Sequence, residues 1–118
     1  MGKAIIEHQA IQMMIAEVAM KIEAARLLTY QACSLVDQGK AGREHAHFLS
    51  MAKAFATETA VEAADKAVQI MGGLGYMQES ATERYYREAR QLTIVEGTSQ
   101  IQRLIIARAV ADDLIRFD

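Results

Sequence analysis

Apolar positions along the chain recur at helical steps. Ile11, Met14, Ile15, Val18, Ile22 and Ala25 form one stripe, and Met13, Met20, Ala24, Leu27 and Leu28 mark a second face. This spacing predicts a first helix over about 4–36. The segment "DQGKAGR" at 37–43 then breaks the pattern with two glycines and reads as a turn. An alanine-rich second helix follows over about 44–71, with Phe48, Met51, Phe55, Val61, Val68 and Ile70 as its larger knobs. Glu58, Glu62 and Lys66 stand four residues apart and read as a solvated face. "MGGLGY" at 71–76 stops that helix, because glycine extends a helix at a cost. A short helix over about 81–90 and a last one over about 99–117 complete the chain. Each opens on a capping-box pattern, Ser80 with Glu83 and Ser99 with Gln102. With no alternating strand pattern, the expected fold is all-α, one domain, an up-and-down helical bundle. Two apolar faces on the first helix exceed what one small bundle hides, so a second subunit or a further domain is expected to cover the surplus.

Composition narrows the function classes. At 118 residues the chain is large enough for a core, and its 52% hydrophobic and 24% charged residues are ordinary for a globular domain. A formal net charge of −2 argues against nucleic-acid or anionic-membrane partners. One cysteine, Cys33, has no internal disulfide partner, so a reducing compartment is expected. No leader-like segment or membrane-length apolar run is visible. That fits a bacterial or archaeal cytoplasm, or a mitochondrial matrix.

The stretch "QLTIVEGTSQIQRLIIAR" at 91–108 carries the main chemical candidate. An apolar run ends in a lone carboxylate, Glu96, followed by a glycine and a helix start. Gly97 suits a sharp redirection, and the helix mouth presents free N–H groups and a positive dipole end. On these residues alone Glu96 is either a structural anion or a poised base. "QIMGGLGY" contains G-G-x-G, which lets backbone approach a phosphate but also serves as an ordinary helix stop. His45 and His47 are two apart and point to different sides of a helix, so no metal site is expected. Arg108 falls on the stripe of Ile101, Leu104 and Ile105, where an arginine either snorkels or pairs with an anion. "ERYYREAR" at 83–90 interleaves arginine with glutamate and reads as a salt-bridged helix.

In order along the chain, "GKAIIEHQAIQ", "MAKAFA", "AVQIMGGLGY", "YYREAR" and "IVEGTSQIQRLIIAR" make a series that closely resembles the C-terminal helical domain of the FAD-dependent acyl-CoA dehydrogenases. The resemblance implies oxidation of an acyl-CoA thioester to the trans-2-enoyl-CoA. A carboxylate takes the α-proton and flavin takes the β-hydrogen. It implies FAD as cofactor, an electron-transferring flavoprotein as electron acceptor, and a homo-oligomer, tetramer or dimer, assembled through these helices. By the same resemblance Glu96 is the catalytic base, and its N–H also donates to the thioester carbonyl. Gly97 lies against the substrate and Arg108 near it. Thr98, Ser99 and Gln100 contact FAD. Gln69, Ile70, Met71, Gly72 and Gly73 meet the FAD of a neighbouring subunit, and His8 and Gln9 form another flavin-contacting pair. The apolar approach to Glu96 is expected to shield the base from water.

The chain also departs from the pattern. Val95 stands where an aromatic residue is common, "ESATERYY" lacks a usual proline, and some subfamilies carry their base on an earlier helix. The N-terminal helical and middle β domains of the family have no counterpart here. The chain alone is therefore expected to be inactive, whether a fragment, an isolated domain or a stand-alone relative. The competing expectations are a non-catalytic helical assembly module that keeps the fold, and an acyl-CoA oxidase.

Overall fold

Alanine sets how closely the helices approach. In the computed structural model, which describes residues 2–116, every buried hydrophobic residue is an alanine: Ala25, Ala32, Ala52, Ala54, Ala64, Ala89 and Ala109. Small side chains at these contacts let the helix axes close up. The helices are α1 (Gln9–Asp37), α2 (Ala46–Met71), a single turn α3 (Gly73–Tyr76), α4 (Ala81–Leu92) and α5 (Ser99–Ala111). α2 is the spine. α1 packs along one flank, and α4 and α5 pack in succession along the other.

Ion pairs record the register. Lys21 of α1 reaches Glu62 at 2.5 Å, and Leu28 shares a crevice with Met51 and Phe55, so α1 and α2 are antiparallel. Arg103 of α5 reaches Glu58 at 2.5 Å, while Arg43, ahead of α2, reaches Asp112 at 3.1 Å. α4 lies on the C-terminal half of α2, with Tyr85 and Leu92 beside Ala67 and Ala60. The all-α, up-and-down expectation therefore holds, and the loop joining α4 to α5 falls halfway along the spine.

Several boundaries differ from the sequence reading. α1 starts at Gln9 rather than residue 4. Ile5–Glu7 form a separate 3-10 turn, closed by the Ala4 N–H donating to Glu7 Oε1 at 3.0 Å, and extended His8 interrupts the helix. α1 ends where expected: Gly39 at φ 72° lets its own N–H reach Val36 O and the Lys40 N–H reach Leu35 O, a Schellman closure. The same closure ends α5 at Ala111, short of the expected 117. Asp113 takes φ 56°, and the N–H groups of Asp113 and Leu114 bond to Val110 and Ala109. Phe117, included in the expected helix, lies outside the described residues. The glycine run does more than stop α2: Gly72 at φ 61° redirects the chain, and helix resumes for one turn.

The surplus of apolar surface is plain. Ile6, Met13, Met20 and Leu27, seven residues apart, are each at least half exposed, and Met20 reaches 67%. Among the described residues no large side chain is fully buried. Nor is any helix long and apolar enough to cross a membrane.

Candidate active-site turn

The α4–α5 turn is built from backbone outward. Thr93 is buried, and its hydroxyl donates to Arg90 O at 2.9 Å and accepts from the Arg90 guanidinium. Its carbonyl accepts the Ser99 N–H at 3.0 Å, which ties the two ends of the loop together. Within that loop Glu96 (φ 55°) and Gly97 (φ 87°) are consecutively left-handed. For glutamate this conformation costs on the order of 1–2 kcal/mol, so other contacts must enforce it. Gln102 Nε2 donates to Glu96 O at 3.2 Å and Gly97 O at 3.3 Å, and Lys53 Nζ donates to Gly97 O at 2.6 Å.

Two expectations about this turn are corrected. The α5 cap is Thr98, not Ser99: Thr98 Oγ1 accepts the Ile101 N–H at 3.3 Å, and Gln102 is turned to the loop carbonyls instead of reaching back to a cap N–H. Ser99 becomes the first helical residue, with its N–H already committed to Thr93. The shielding expected of the apolar approach is also absent within this chain, since Glu96, Ile94 and Val95 are all exposed. Ser80 does cap α4, accepting from Thr82 N, but Glu83 turns to Arg87 at 3.8 Å.

Beside the turn lies a cleft of about 440 Å³ lined by Thr98, Ser99 and Gln100, by Arg90 and Thr93, and by Glu58, Glu62 and Asp65 of α2. Glu58 and Glu62 are not the freely solvated face expected. Both are half-buried and ion-paired across helices, to Arg103 and Lys21. The Arg103 guanidinium, hydrogen-bonded to Glu58, holds that carboxyl below the usual range. Ser99 Oγ is buried with no hydrogen-bond partner. Close to the Glu58 carboxylate, whose pKa it helps to lower, but without a well-formed hydrogen bond, this hydroxyl at the positive end of a helix fits a polar ligand group there.

The remaining candidates lie elsewhere on the chain. His8 and Gln9 sit exposed at the start of α1, and half-buried Ile70 with exposed Gln69, Met71, Gly72 and Gly73 lie where α2 gives way to α3. The antiparallel pairing puts both groups at one end of the bundle. That end, from Gln69 to Met71, is about 16–20 Å along α2 from Glu58 and the Glu96 turn, at 1.5 Å per residue. Arg108 is about 14 Å along α5 from Ser99 by the same measure. It lines a separate cavity of about 360 Å³ with Arg43, His47 and Asp112. One copy of the chain therefore does not bring these residues to the Glu96 turn.

Sequence reasoning considered His47 only as half of a rejected metal pair. It is 3% exposed, and its Nδ1 has no partner. Burial, then the charge of His45, push its pKa below the ordinary histidine value of 6.5. Arg43, Arg108 and Asp112 are the other charged groups lining its cavity. The unfolded chain thus binds a proton that the folded chain resists. The contribution of His47 to stability is present above pH 6.5 and is lost as pH falls below it toward the depressed folded value. His47→Phe should flatten the fall in stability between pH 7 and about 5.5, read by denaturant melts at matched pH. An unchanged pH slope would remove His47 as its source.

Residues 1–111 match the family model described as the acyl-CoA dehydrogenase C-terminal domain. Among curated relatives, cyclohexane-1-carbonyl-CoA dehydrogenase of Geobacter metallireducens is 49% identical over 109 residues, 92% of this chain and 28% of the relative. The caffeyl-CoA reductase–Etf complex subunit CarC of Acetobacterium woodii is 51% identical over 106 residues, 90% of this chain and 27% of the relative. Among solved structures, butyryl-CoA dehydrogenase of Megasphaera elsdenii superposes with a TM-score of 0.88 at 34% identity, covering 93% of this chain and 28% of that one. The chain thus spans little more than a quarter of the relatives it matches.

Proposed function

We propose that this chain, which belongs to the acyl-CoA dehydrogenase C-terminal domain family, supplies the catalytic base and part of the cofactor site of an FAD-dependent acyl-CoA dehydrogenase. The observation that carries the reading is the turn itself. A carboxylate is held on a left-handed backbone, two residues before a helix cap, beside a cleft that a buried hydroxyl lines. Glu96 takes the proton α to the thioester carbonyl, and the Glu96 N–H stabilises the charge that builds on the carbonyl oxygen. Gly97 leaves room for the thioester. Thr98, Ser99 and Gln100 hold FAD, with Ser99 Oγ as the donor still lacking a partner. When bound, FAD supplies acceptance of the β-hydrogen as hydride.

Glu96 is exposed in this chain, so the water exclusion that proton abstraction needs comes from elements outside it. Gln69 to Gly73, with His8 and Gln9, contact a flavin held largely by a neighbouring subunit. Arg108 touches only a part of the substrate remote from the thioester. The exposed stripe of Ile6 ahead of α1 and Met13, Met20 and Leu27 on it meets further protein in a homo-oligomer. The name of the Acetobacterium relative supports an electron-transferring flavoprotein as redox partner.

The test is anaerobic mixing of the flavin-loaded complete enzyme with a panel of straight, branched and cyclic acyl-CoA thioesters. Bleaching of the flavin band by at least one thioester is expected. Tightly bound flavin that none of them reduces would overturn the dehydrogenase reading in favour of an assembly module.

A further inference from the structure

We infer that Lys53 is a positioning residue for Glu96, acting through the Gly97 carbonyl; the inference rests on Glu96 being the base. Lys53 stands on α2, the spine of the fold, within the stretch "MAKAFA", and is half-buried. Its ammonium is not spent on an ion pair among the described residues. The nearest carboxylate further along the helix, Glu58, five residues on, is committed to Arg103 through two hydrogen bonds. Instead Nζ donates to Gly97 O at 2.6 Å, a charge-assisted bond to backbone. A half-buried cation spent on a carbonyl is a costly choice unless that carbonyl must be fixed.

The carbonyl sits where fixing it matters. Gly97 O accepts from Lys53 and from Gln102 Nε2, and Gln102 also holds Glu96 O at 3.2 Å. The two peptide units that follow Glu96 and Gly97 are therefore clamped from α2 and from α5. With both held, Glu96 is kept at φ 55°, a conformation it would otherwise leave. That angle sets where the carboxylate points and where the Glu96 N–H points, so one clamp aligns both the base and the carbonyl donor. Gln102 holds the loop to α5 and the Ser99–Thr93 bond closes it onto the end of α4, whereas Lys53 connects it to the spine.

The test is a double-mutant cycle in the flavin-loaded complete enzyme, read by stopped-flow flavin reduction. Lys53→Met should slow reduction by about 10–100-fold, the scale of an ångström-sized misplacement, with flavin content and apparent acyl-CoA affinity little changed. Lys53→Arg, which keeps a cationic donor, should recover most of the rate. In a Glu96→Gln background Lys53→Met should have almost no further effect, because a positioning residue has nothing left to position. Full-rate reduction in a flavin-loaded Lys53→Met enzyme would overturn the inference. Independent, multiplying losses in the cycle would overturn it as well. If Lys53→Met does not hold flavin, Lys53→Gln takes its place in the cycle under the same criteria. A Glu96→Gln enzyme that reduces normally would instead overturn the parent reading, so the two failures are separable.

Discussion

Glu96→Gln in the complete enzyme should sharply slow flavin reduction by acyl-CoA while flavin and thioester still bind. The expected loss is on the order of 10²–10⁴-fold, the usual contribution of a general base. It amounts to about 2.7–5.5 kcal/mol of transition-state stabilisation at 1.36 kcal/mol per decade. The fold should not contribute to the loss. Glu96 is exposed, and the turn is held through its main-chain carbonyl rather than its side chain. An amide of the same shape leaves that carbonyl in place, so stability should change by no more than about 0.5 kcal/mol. Stopped-flow reduction beside a thermal melt measures both effects. Near-normal bleaching would remove Glu96 from the reaction, and a large fall in melting temperature would show that the carboxylate serves the fold.

The largest expected effect on stability lies at Gly75. A Cβ there would stand 2.7 Å from both Met71 Cβ and Val68 O, and 3.0 Å from Val68 Cα. Two of those three atoms are α2 main chain, which cannot yield without loosening the end of the spine. α3 cannot retreat either, because Thr82 Oγ1 donates to Gly75 O at 2.7 Å from the α4 side. Gly75→Ala should therefore destabilise by about 1–3 kcal/mol, and Gly75→Val by more. Gly73 is the control, since a Cβ there meets nothing within 4 Å. Gly73→Ala should melt like the parent, so any flavin loss in that variant reports on contact rather than folding. Equal melting temperatures for the two alanine variants would refute the packing argument at Gly75.

Helical periodicity made the long elements legible, and glycines marked the ends of α1 and α2, though not of α5, which closes on Asp113, because an αL closure favours a residue such as Gly39. The Glu96 turn was legible for the same reason. What periodicity lacks is direction. Met13, Met20 and Leu27 read as a second apolar face beyond what one bundle hides, without saying which face α2 covers, and they point outward because α2 contacts α1 on one side only. The cap of α5 was misread because Thr98 and Ser99 are both good caps. The choice falls to Thr98 once the Ser99 N–H is taken by Thr93, six residues back, a tertiary fact no local pattern contains. Lys53 was invisible as chemistry, since one lysine in an alanine helix looks like any solvated position. The separation of Arg108 from Glu96 became visible only with the length of α5.

The alanine seams have a consequence for how the domain persists in solution. Alanine buries little area per residue, and the large side chains that would stabilise an isolated fold face outward. Much of the free energy of the folded state must then come from whatever covers those side chains. In the proposed homo-oligomer the melting point should therefore depend on dilution through mass action, with the folded protomer and the assembled one linked in a single equilibrium.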